Sequence, residues 1–199
     1  RIGNTELFTS VERHLADVGL LSNADTYFKN SCQWQKRVRK YCFETVRKSE
    51  KLAGYDFLGP IDTHWHTFGY DVGMMNEFYE MKPGETVKNV LRYNSPTVLL
   101  NDLGRRANFE SGESLRCKIL TSCYGVKKLE NAIVTVTLNL GDKVIEQKEV
   151  DVSGVEGGKI SQLCEFLAEL PAVKKPAEMK LSVTLSADSL FAENEWELY

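Results

Sequence analysis

The chain has 199 residues, 42% hydrophobic and 27% charged, with a formal net charge of −3, enough to bury a core in one large domain or two small ones. No basic excess draws it to nucleic acid, and no apolar run approaches the roughly 20 residues that span a bilayer as a helix. The five cysteines are odd in number and lack C-x-x-C spacing, which argues against a disulfide framework or structural zinc and leaves them as small buried apolar residues.

The N-terminal stretch RIGNTELFTS has no initiator Met, basic n-region or apolar h-region. The C-terminal ENEWELY stops inside a strand pattern. A fragment of a longer protein is therefore expected. Thr9 with Glu12 spells a capping box, and Gly19 stands where that helix would stop. Ser22 and Asp25 open a longer helix, in which Phe28, Cys32, Val38, Tyr41, Cys42 and Val46 recur at three- and four-residue steps until Gly54. YDFLGPI, residues 55–61, has the aromatic and branched content of a short buried strand. Helix, turn and buried strand make half of a βα repeat.

A short helical stretch, GETVKNVLRYN, follows Pro83, and SPTV breaks it. From Thr97 the period becomes two. Leu115, Cys117, Ile119 and Cys123 alternate with polar neighbours, as do Val134, Val136, Leu138 and Leu140. LGDK is a hairpin turn spelling, and further strands are expected through Ile160 to Phe166, Met179 to Leu185, and Phe191 to Leu198. Short amphipathic strands between Gly, Asp and Pro turns describe an all-β immunoglobulin-like sandwich. The period changes near residues 88–96, so the expected division is 1–92, an α/β segment, and 93–199, the sandwich.

The stretch GPIDTHWH, residues 59–66, ends the predicted strand. Its Asp-x-His-x-His spelling resembles the first-strand metal motif of amidohydrolases. Two histidines two residues apart share a strand face, which suits a metal ion. Such a barrel needs further ligands from later strands, yet the chain has three histidines and none after His66. Asp62, His64 and His66 therefore read as something other than a metal site, and no cofactor is implied.

The order of elements resembles another family. FKNSCQWQKRVRKYCFETVRKSEKLAGYDFLGPI looks like the last helix-strand unit of the (β/α)8 catalytic barrel in glycoside hydrolase family 2, the β-galactosidase-like enzymes. The run Val72-Gly73-Met74-Met75-Asn76-Glu77-Phe78 through Lys82-Pro83-Gly84 is similar to a passage that follows the active-site loop there, and VLRYNSPTVLL to the entry into the C-terminal sandwich. NAIVTVTL, KKPAEMKLSVTL and AENEWELY are similar to that sandwich's late strands. The resemblance spans residues 20–199 and implies hydrolysis of O-glycosidic bonds by a retaining pair of carboxylates. It also implies that both catalytic glutamates lie upstream, Glu6 being the sole candidate within the chain. Asp62, His64 and His66 would then offer polar groups to sugar hydroxyls, and Trp65 a ring for the sugar's C–H face. The loop departs from the commoner family spelling, which puts the substrate in doubt more than the fold.

Structural readings stand beside these. Trp65 alternatively packs between barrel and sandwich, and one histidine alternatively caps the strand. Trp34 reads as packing, Trp196 as sandwich core, Met74 and Met75 as filler, and Glu193, Glu195 and Glu197 as a solvated strand face. The competing function is a non-catalytic module that binds carbohydrate or docks on neighbours. The expected partners are a carbohydrate substrate and either the rest of the parent barrel or a second copy. A periplasmic or secreted location is what the resemblance implies.

Overall fold

The computed structural model describes residues 6–63, 72–188 and 190–199, with side chains from residue 9 onward. The chain divides into two compact units, one of residues 1–42 with 54–89, the other of residues 43–53 with 90–199. No helix among the described residues is long and apolar enough to cross a membrane.

The first unit begins with α1, Glu6–Asp17. Thr9 lies inside this helix, so the expected capping box does not form its start. Its end follows the sequence: Gly19 takes φ 71°, and the N–H groups of Gly19 and Leu20 donate to Ala16 O and Leu15 O at 3.0 and 2.8 Å. That pair of bonds satisfies carbonyls the helix leaves open, and glycine reaches the left-handed conformation without a Cβ penalty. A single 3-10 turn at Leu21–Asn23 leads into α2, Ala24–Arg47, with Asp25 in its first turn where the helix dipole favours an acid.

Residues 55–61 form no ladder, contrary to the strand expectation. Their regular pairing is one isolated parallel bridge, Ile61 to Met75, and Leu58 is 90% exposed. A strand is stabilised by its neighbours' hydrogen bonds and side chains, and the described residues of this unit supply none beside 55–60. The described residues 55–61 thus show no strand of an α/β unit. Residues 74–82 turn back on themselves through a bridge between Met75 and Met81 and a bond from Lys82 N–H to Met74 O at 3.0 Å.

The second unit is a seven-stranded sandwich: β1 Thr97–Asn101, β2 Ser114–Cys123, β3 Ile133–Leu140, β4 Lys143–Asp151, β5 Lys159–Glu169, β6 Met179–Ala187 and β7 Leu190–Leu198. All pairings are antiparallel, in sheets ordered β1-β2-β5 and β4-β3-β6-β7. The expected alternation is what builds the core. Val134, Val136 and Leu138 of β3 lie opposite Leu185, Val183 and Leu181 of β6, all buried. Leu115, Cys117, Ile119 and Phe166 face them from the other sheet. The LGDK turn is a two-residue hairpin with Leu140 paired to Lys143.

β1 is buried on both faces, because the end of α2 belongs to this unit. Arg47 donates to the carbonyls of Ser95, Pro96 and Ser122 at 2.9, 3.2 and 2.7 Å, and Lys48 to Asn101 O at 3.1 Å. Phe43 packs on Tyr93 with ring centroids 5.2 Å apart. A short helix, α3, spans Val87–Leu91.

Three side-chain expectations change, while Trp196 keeps its expected place against the core. Glu193 and Glu195 are not merely solvated, since Arg92 pairs with both, at 3.3 and 2.5 Å. Trp34 is 66% exposed rather than packed. Cys42 is exposed, while Cys32, Cys117, Cys123 and Cys164 are buried free thiols. Trp196 packs on the core from a half-buried position, its N–H turned to Glu44.

Candidate functional site

Of the four residues expected to line a sugar pocket, the structure describes Asp62. His64, Trp65 and His66 lie outside the described residues. The side chain of Glu6, the first residue of α1, does so as well.

Asp62 is 8% exposed. Its Oδ1 accepts the Gly73 N–H at 2.9 Å, and the Lys82 ammonium lies 2.9 Å from both Oδ1 and Oδ2. The Asp62 N–H donates to Met75 O at 2.9 Å, and the Met74 N–H to Pro60 O at 2.9 Å. Residues 62 and 73, which bracket 64–71, are therefore joined directly through a buried carboxylate. Gly73 is required for that approach: a Cβ there would stand 2.6 Å from Asp62 N and 2.7 Å from Ile61 C. Such contact with main chain has no flexible end to yield.

A second buried pair stands beside the first. Arg39 of α2 bonds Glu85 Oε1 through Nη1 and donates to Val72 O through Nη2 at 3.3 Å. The side chains of Arg39 and Glu85 are 6% and 2% exposed. Glu85 Oε2 is buried and accepts no hydrogen bond among the described residues. Cys32 lies within the field of both pairs. Burial pushes its thiol pKa up, the Lys82 ammonium pulls it back, and Asp62 and Glu85 push further upward.

The physical effect is to hold the start and end of one segment at fixed positions by charges withdrawn from water. Removing one partner of such a pair strands the other, at roughly 3–5 kcal/mol. Asp62 is engaged on both oxygens and is almost closed to solvent. No group of three or more His, Cys, Asp or Glu able to hold a metal occurs among the described residues. Sequence reasoning found Asp62 but not Lys82, Arg39 or Glu85. Their partners stand 20 and 46 positions away, and no periodicity signals an ion pair at those separations.

A family model described as a domain of unknown function, DUF8488, matches residues 113–199, which is the sandwich from the last residue before β2 onward. No curated protein matches the chain. Solved structures similar to it include a β-glucuronidase of Parabacteroides merdae, at 16% identity over 51% of this chain and 13% of that one, TM-score 0.34. Another is a β-glucuronidase from glycoside hydrolase family 2, at 12% identity over 51% of this chain and 11% of the other, TM-score 0.36. The sporulation control protein Spo0M of Bacillus subtilis is similar to the same degree, at 11% identity over 52% of this chain and 47% of that one, TM-score 0.33. The matched part thus corresponds to 13% and 11% of the glucuronidases' own lengths. The resemblance to glycosidases is weak, and at these scores it transfers no activity to this chain.

Proposed function

We propose that the chain is the C-terminal part of a glycoside hydrolase that cleaves O-glycosidic bonds of poly- or oligosaccharides, residues 1–92 completing a catalytic barrel and 93–199 forming an accessory sandwich. In this reading the retaining pair of glutamates lies upstream, and the chain alone is inactive. Asp62, His64, Trp65 and His66 serve the sugar pocket, His64, Trp65 and His66 by contact with the sugar. The protein acts outside the cytoplasm, in the periplasm or beyond the cell.

The reading draws its chemistry from the order and spacing of the sequence motifs. The structural observation that carries it is the inverted polarity of the first unit. Its buried side chains include two ion pairs, while Phe28, Trp34, Leu58, Phe78 and Tyr79 are 53, 66, 90, 73 and 73% exposed. Isolated exposed apolar residues are ordinary, but so many large ones in one small unit mark a surface made to be covered. The remaining strands and helices of a barrel would cover it and pair with 55–61.

The test is hydrolysis of a panel of aryl glycosides by this chain and by its intact parent, side by side. Turnover by the parent alone, lowered by His64→Ala with the fold intact, is the expected result. Turnover by this chain alone, or wild-type rates in the His64→Ala parent, would overturn the assignment.

A further inference from the structure

The end of the sandwich carries a cleft of its own. The loop from 104 to 113, the connection from 170 to 178 and Tyr199 enclose a volume of about 430 Å3, within the range of small-ligand sites. Its apolar lining includes Leu140, Leu170, Met179 and Phe109. Tyr199, 42% exposed, lines it too.

The walls are tied together rather than left loose. Tyr199 N–H donates to Ala107 O at 2.7 Å and Phe109 N–H to Tyr199 O at 2.6 Å, so the loop adds a short rung to the end of β7. Ser111 Oγ donates to Val173 O at 3.3 Å and accepts the Val173 N–H at 2.7 Å, joining the two loops across the cleft. Arg106 stacks over the Phe109 ring at 4.5 Å and pairs with Glu113. Preorganised walls spare a ligand the cost of ordering them.

The rim is charged. Lys174 and Lys175 line it, both exposed, and neither is in an ion pair among the described residues. Glu110 lines it too, and Asn108 adds an amide. Lys174 and Lys175 offer two neighbouring ammonium groups to a ligand carboxylate, and Glu110 is the single acidic side chain of the lining. Glu110 and Asn108 together accept from and donate to hydroxyls. An aromatic residue beside an apolar lining suits the C–H face of a sugar ring.

We infer that this cleft binds a carboxylate-bearing oligosaccharide, one uronic acid unit resting against Tyr199 with its carboxylate on Lys174 and Lys175. The site lies wholly in the sandwich. It goes beyond the pocket-wall reading of residues 62–66 and stands or falls separately from it.

The experiment is calorimetric titration of the whole chain with a galacturonic acid trimer and with the neutral galactose trimer, in low salt and again in about 150 mM salt, where the Debye length falls to roughly 8 Å. The acidic trimer is expected to bind about tenfold or more tightly than the neutral one, and to weaken with salt. In Lys174→Ala/Lys175→Ala, which changes two exposed side chains, that preference is lost while the melting temperature holds. Tyr199→Ala weakens both sugars. No binding of the acidic trimer, equal binding of the two trimers, or unchanged affinity in the lysine variant would each overturn the inference. So would equally tight binding of a Glu-rich peptide of matched charge.

Discussion

Trp196 of β7 turns its indole N–H onto the carboxylate of Glu44, near the end of α2, at 3.2 and 3.0 Å from the two oxygens. Asn194 Nδ2 donates to the same carboxylate at 2.8 Å and to Leu99 O at 2.7 Å. A helix end is thereby fastened to the first and last strands of a sandwich through one acid that is 6% exposed. This explains why residues 43–53 belong to the sandwich unit although they precede its first strand by more than forty positions.

Glu44→Ala removes the acceptor of the indole N–H and of one Asn194 amide N–H, while the other amide N–H keeps Leu99 O. Hydrogen bonds to a charged group contribute about 1.5–3 kcal/mol, and orphaned buried donors cost a similar amount. The sandwich unit should lose about 2–4 kcal/mol in urea unfolding, and Glu44→Gln clearly less, because an amide oxygen can still accept. Loss of under half a kcal/mol in Glu44→Ala would show the contact to be ornamental.

Asp62 and Lys82 should behave as a coupled pair. Lys82→Met strands the Asp62 carboxylate in a site nearly closed to water, and is expected to destabilise the first unit by roughly 3–5 kcal/mol. Asp62→Asn combined with Lys82→Met should recover a large part of that loss, since no uncompensated charge remains. A thermodynamic cycle on the wild type, the two single variants and the double variant reads the coupling. Strict additivity would mean that the pair does not hold the segment's ends together.

Thiol chemistry follows burial. Cys42 should react promptly with an aromatic disulfide reagent at pH 8, and Cys32, Cys117, Cys123 and Cys164 after unfolding. Burial pushes the Cys117 pKa up from 9.0 to about 12, aided by Asp102 and Cys164. The folded chain therefore keeps a proton there that the unfolded chain loses above about pH 9. The corresponding stability is whole below pH 9 and declines by about 1.4 kcal/mol per pH unit as pH rises toward 12. Cys117→Val should flatten that alkaline decline in unfolding curves taken from pH 8 to 11. An unchanged slope would refute it.

The sequence by itself determined the sandwich. Val134, Val136 and Leu138, or Leu181, Val183 and Leu185, can turn to a common interior in an extended chain alone, so the two-residue period leaves little choice of structure. The end of α1 was equally legible, because Gly19 is a local device. Thr9 misled, since a capping box needs the helix to start there and the described helix already includes Glu6. The stretch 55–61 misled for a different reason: its residues favour a strand, but a strand exists through partners that the described part of this unit does not provide. What tertiary structure alone decided is the set of long-range charged contacts. Asp62 was visible as a polar residue beside histidines, yet Lys82 closes on it across 20 positions, Glu85 on Arg39 across 46 and Trp196 on Glu44 across 152. Such pairs depend on where helix, turn and strand converge in space, and on the desolvation that makes an unpaired charge there too costly to keep.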